Sequence, residues 1–133
     1  MPIWLTPEDS RRWLIATATG HLSLGDLAAF ITTHRVGDRL RWPLLFDASA
    51  TTTDIEADEV EQLAQAAFRA NEERGETRAP LALIAPEDPA AYRLMCRYQT
   101  LCEEKGIGAT KVFRSREDAE RWLTDVAGGF ART

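Results

Sequence analysis

The sequence predicts an α/β fold, a mixed and mainly parallel sheet with helices in the order ββαβαβαβα. Three observations carry this. The stretch Trp42-Pro43-Leu44-Leu45-Phe46-Asp47-Ala48-Ser49 starts at a turn, runs through apolar residues and stops at a carboxylate, the pattern of a strand buried on both faces. Pro80-Leu81-Ala82-Leu83-Ile84-Ala85 repeats it. Helical stripes alternate with these runs, and strand–helix alternation implies parallel pairing, with one antiparallel strand added by an opening hairpin.

The hairpin comes first. Residues 2–6 are short and apolar, Pro7-Glu8-Asp9-Ser10 supplies a turn, and Arg11 to Thr19 alternates, with Trp13, Ile15 and Thr17 on one face. Gly20 is expected to end the second strand. Ser23-Leu24-Gly25-Asp26 has capping-box spacing, with Asp in place of Glu or Gln. Leu24, Leu27, Ala28 and Ile31 then follow the i, i+3, i+4, i+7 stripe of a helix. Gly37 is placed to terminate it, and a basic loop, Arg35 to Arg41, leads to the central strand. Ala48 to Thr53 reads as a polar loop, and Thr53 with Glu56 as the box that starts the next helix. That helix buries Val60, Leu63, Ala64, Ala67 and Phe68, and leaves through a charged exit, Asn71 to Arg78.

After the second buried strand, Asp88 caps a helix that has Pro89 at its first position. Its inner face is Ala91, Leu94, Met95, Tyr98, Leu101 and Cys102. Gly106 and Gly108 end it. Ala109 to Phe113 is a strand whose Lys111 suits a sheet edge. Ser115 caps the last helix, with Ala119, Trp122, Leu123 and Val126 inward. Residues 1–127 read as one domain and 128–133 as a flexible C-terminal tail.

Composition bounds the function. A chain of 133 residues, 44% hydrophobic and 28% charged, has the size and balance of one soluble globular domain. A net charge of −5 argues against a nucleic-acid partner, which needs a dense basic surface. Cys96 and Cys102 lie about 240° apart around one helix, so they form no bridge within it. Without histidines nearby they make no zinc site. Reduced thiols, no signal peptide and no apolar run of membrane-spanning length give a cytoplasmic expectation without membrane insertion.

Three phrases are distinctive. They are Leu45-Phe46-Asp47-Ala48-Ser49 before an acidic helix start, Tyr92 to Gln99, and Val112 to Leu123 with its Phe-Arg followed by Ala-x-x-Trp-Leu. With the layout, the hairpin and Gly20, they resemble the STAS-like family of small bacterial proteins related to anti-sigma-factor antagonists. The resemblance implies a non-enzymatic regulatory or protein-interaction module. Phosphorylatable members carry Asp-Ser-Ser-Gly at the start of the helix after the central strand, whereas this chain has Asp54-Ile55-Glu56-Ala57. A phosphate there would meet like charge. The layout is also similar to lipid-carrying CRAL-TRIO domains, which implies the alternative of a carrier or sensor for a small apolar ligand, with Phe30 and Met95 able to line a cavity.

In open α/β sheets ligands bind beyond the carboxyl ends of the strands. Asp47, Ser49, Thr51 and Asp54 are therefore the candidate ligand or partner contacts. The acidic helix starts disfavour a phosphate, and no glycine-rich loop exists to receive one. A receiver domain shares the layering, but the acidic pair expected after an early strand is missing. His21 and His34 pair with no cysteine or serine in a nucleophile motif. No catalytic residue, metal or cofactor is assigned. The expected partner is another protein or a second copy of the chain, with a small apolar ligand as the alternative.

Overall fold

The computed structural model describes residues 2–33, 42–75 and 78–131. The expected helix stop at Gly37, the basic loop Arg35 to Arg41, and His34 lie outside the described residues. The elements are β1 (Ile3–Glu8), β2 (Trp13–Leu22), α1 (Leu24–Thr33), β3 (Leu44–Thr53), α2 (Ala57–Arg74), β4 (Leu81–Ile84), α3 (Pro89–Glu104), β5 (Thr110–Phe113) and α4 (Arg116–Ala131). This is the predicted ββαβαβαβα order. The strands lie side by side as β1-β2-β3-β4-β5, with β1 antiparallel to β2 and the other pairs parallel. Lys111 does sit on an edge strand, β5.

Alternation along each strand sorts the core into two sides. Leu14, Ala16 and Ala18 of β2, Leu44, Phe46 and Ala48 of β3, and Leu81 and Leu83 of β4 face the helices α1, α2 and α3. Trp13, Leu45, Ala82 and Ile84 face the other way, against Ala119 and Leu123 of α4. Fully buried side chains such as Leu14, Leu45 and Leu123 each stabilise the fold by about 1.5–3 kcal/mol. Helix α4 covers β3, β4 and β5. On the same face, Thr17 and Thr19 of β2 and Trp4 of β1 remain exposed.

Local chemistry sets the helix ends. The Asp26 N–H donates to Ser23 Oγ and the Ser23 N–H to Asp26 Oδ2, both at 3.1 Å, so Asp completes the capping box of α1. Asp88 Oδ1 accepts from the Ala90 N–H at the start of α3, and Ser115 Oγ from the Asp118 N–H at the start of α4. Gly75 closes α2 in the left-handed conformation, with φ +69°.

Several boundaries differ from those the sequence predicts. Pro7 and Glu8 belong to β1, which tolerates proline because it is an edge strand. Gly20 does not end β2. It is held inside the strand by pairing with Thr51. Ala48 to Thr53 is strand rather than loop, because β2 runs beside it to Leu22 and its β-branched threonines suit a pleated surface. Thr53 is not the cap of α2. Its hydroxyl donates to the Leu22 carbonyl, and the start of α2 is fixed by Glu59, which accepts from the Glu56 N–H at 2.9 Å. Helix α4 continues through 128–131, because a helix already anchored by Ala119 and Leu123 propagates one hydrogen bond per residue.

The β2–β3 ladder contains a β-bulge. Thr17 pairs with Asp47 but Thr19 pairs with Ala50, so β3 carries one extra residue there. Before the bulge Phe46 and Ala48 point to the side of α1–α3; after it, Thr51 and Thr53 do.

Candidate functional site

Between the sheet and helices α1, α2 and α3 lies a cavity of about 140 Å³. Its floor is Leu44, Phe46, Leu81 and Leu83, and its walls include Leu27 and Phe30 of α1, Leu63 and Ala67 of α2, and Leu94 and Met95 of α3. Phe30 stands edge-on to Phe46 at 5.2 Å between ring centroids, a favourable aromatic geometry that holds one wall. The polar residues on the lining are few: Thr51 and Thr53 at one end of β3, and Asn71, Arg74 and Arg78, with the Tyr98 phenol. Thr51 donates to the Ala48 carbonyl at 2.7 Å and the Asn71 amide to the Ile107 carbonyl at 2.6 Å, so both are satisfied.

Arg78 is different. It is 7% exposed, and its Nη2 donates to Thr110 Oγ1 while Nε and Nη1 have no hydrogen-bond partner among the described residues. The backbone holds it in place. Its N–H donates to the Ile107 carbonyl at 3.2 Å, and its own carbonyl lies where a Cβ on Gly108 would be only 2.6 Å away. Gly108, at φ +152°, therefore permits the close approach that seats Arg78.

The four residues expected to form a site do not converge. Thr51 lines the cavity. Asp47 and Ser49 point to the opposite face, where Asp47 Oδ1 accepts from the Ser49 N–H at 3.0 Å and hydroxyl at 2.6 Å. The other Asp47 oxygen stands 3.7 Å from Arg116 Nη1. Arg116 continues to Glu120, Glu120 to Arg11 and Arg11 to Glu8, a chain of charges along the α4 face. The Arg11 guanidinium, the largest cause, lowers the Glu120 pKa below its ordinary value, and the Ser10 hydroxyl does the same for Glu8.

Asp54 lies on the surface beside His21. His21 Nε2 is 3.4 Å from Asp54 Oδ1, and its Nδ1 is 3.5 Å from Thr52 Oγ1. Hydroxyl, imidazole and carboxylate in that order have the outline of an activated nucleophile. Both gaps exceed a working hydrogen bond, and the Asp54 side chain is 82% exposed. Among the described residues no group of His, Cys, Asp and Glu is arranged to hold a metal, and no helix is long and apolar enough to cross a membrane.

Comparison with models of known families gives no match, and neither does comparison with curated proteins. A solved structure does match. An uncharacterised DUF3478-family protein from Shewanella loihica PV-4, with a SpoIIAA-like fold, aligns over 91% of each chain with TM-score 0.53 and 16% identity. The fold is SpoIIAA-like, and so STAS-like. At that identity the likeness concerns the scaffold. In this STAS-like scaffold the parallel strands β2–β4 form the cavity floor, and α1–α3 close it.

Sequence reasoning reached Phe30 and Met95, both on the lining. It missed Arg78, which sits in a run of charges that reads as a solvated exit. The available signal was position: Arg78 directly precedes the buried run that begins Ala79-Pro80.

Proposed function

We propose that the chain is a non-enzymatic STAS-like module that holds a small apolar molecule in the cavity between its sheet and α1–α3. One observation carries this reading. Protein interiors are close-packed, yet this small domain keeps an apolar void of about 140 Å³. Walls left without a packing partner forfeit dispersion contacts that an apolar guest would restore. An apolar cavity of about 150 Å³ stays dry and takes up benzene. Titration of 1-hexanol or benzene into the methyl-labelled protein tests it by NMR. Saturable shifts at the methyl groups of Leu27, Leu63 and Met95 are expected, and unmoved methyl groups would end the idea.

A second reading rests on the uncovered part of the α4 face. Trp4 is 54% exposed there, and large exposed aromatics are typical anchors of protein contacts. On this reading the module meets another protein or a second copy, with Trp4 central and Ser49, Asp47 and Asp54 on the polar rim. Native mass spectrometry tests it. A dimer or heteromer that is lost in Trp4→Ala supports it, and a monomer throughout opposes it.

We further infer that the module works in a bacterial cytoplasm, where its two free thiols suit a reducing compartment, and that it uses neither nucleic acid nor phosphoryl transfer. Glu56, Asp58 and Glu59 at the start of α2 would repel a phosphate.

A further inference from the structure

We propose that the cavity's occupant is a small hydrophobic monocarboxylate, with its chain or ring in the apolar space and its carboxylate on the Arg78 guanidinium. This rests on the ligand-binding reading above and adds the chemical class. Among the described residues, the charged groups on the lining are Arg74 and Arg78, with no Asp or Glu. A guanidinium does not deprotonate in a protein, so Arg78 carries its charge in the buried state. Burying a cation is costly unless it is paired and hydrogen-bonded. Here Nε and Nη1 are uncommitted, and the one described bond, to Thr110, is to a neutral hydroxyl.

Among the described residues, no neighbouring group supplies the missing charge. Cys102 is fully buried, and burial raises its pKa, so it stays a neutral thiol. At the Thr51 and Thr53 end, both hydroxyls already donate to backbone carbonyls. Arg74 is only half-buried, with its Nη2 on the Thr32 carbonyl at 3.5 Å. The buried uncommitted donors belong to Arg78, and one buried guanidinium matches one negative charge. A dianion would carry a second charge that the single buried guanidinium does not match. The size follows from the cavity. Its volume of about 140 Å³ is close to that of a cavity filled by benzene, so the acid has about six to eight carbons.

The test compares hexanoate with 1-hexanol, which have the same chain length and differ at the head. Both are titrated into the full chain at pH 7 by NMR, and then into Arg78→Met. Hexanoate is expected to bind the unaltered protein at least about tenfold more tightly than 1-hexanol, the size of one charge-assisted hydrogen bond. It should also move the Arg78 Nε–H resonance, which 1-hexanol leaves in place. In Arg78→Met the preference should vanish while 1-hexanol still binds. Equal affinities in the unaltered protein, or a preference for the acid that survives Arg78→Met, would overturn the role of Arg78 and leave the cavity reading intact. Binding of neither compound would overturn both. If Arg78→Met does not fold, the affinity ratio and the Nε–H shift in the unaltered protein decide.

Discussion

Two residues show how far a sequence reveals the work of a single side chain. Asp47 is conspicuous as a carboxylate closing an apolar run, but the chain order hides its partners: Ser49 beside it and Arg116 from the last helix take up its oxygens. Arg78 is inconspicuous among charges, and only tertiary structure turns it inward. An unpaired buried cation destabilises the empty protein, so Arg78→Met should raise stability by about 1 kcal/mol in urea denaturation. The carboxylates on the α4 face give a prediction in pH. Glu120 and Glu8 have folded-state pKa values below their ordinary ones. The unfolded chain therefore binds protons first as the pH falls. Their contribution is complete above the ordinary glutamate range and is lost as the pH drops through the lowered folded values. Thermal melts between pH 7 and pH 2 should show this loss, and Glu120→Gln should flatten it.

At the level of the element, legibility tracked the kind of signal. Helices announced themselves through apolar stripes and caps, and Ser23 with Asp26 closes the α1 box as its spacing suggests. Ser23→Ala removes that cap and should cost about 1 kcal/mol by chemical denaturation. The second half of β3 was illegible. Ala50 to Thr53 has the small polar composition of a loop, and it is strand only because β2 offers a partner alongside. The short segment before β5 has the opposite character, since its geometry is strict. Gly108→Ala would drive a Cβ to 2.6 Å from the Arg78 carbonyl. A loss of about 2 kcal/mol or more is expected, together with displacement of Arg78.

For the whole molecule, periodicity and alternation were enough for the α/β class and the element order. Strand order and the void were not legible, because both depend on how faces fit rather than on which residues face inward. Phe30 and Met95 read equally well as packed core. The void also separates binding from folding as requirements. Ala67→Leu places new methyl groups from α2 into it, so it should gain about 1 kcal/mol of stability and lose 1-hexanol binding in the same NMR titration. A variant that is less stable would show that the walls are already tight there.

The bulge in β3 has one more consequence. A strand has two phases, and the extra residue opposite Ala18 is where this one changes phase. Had β3 alternated straight through Ala48, Ala50 and Thr52 would face the cavity; the extra residue is what turns Thr51 and Thr53 inward instead. The bulge thus decides which of two interleaved sets of side chains a guest would meet.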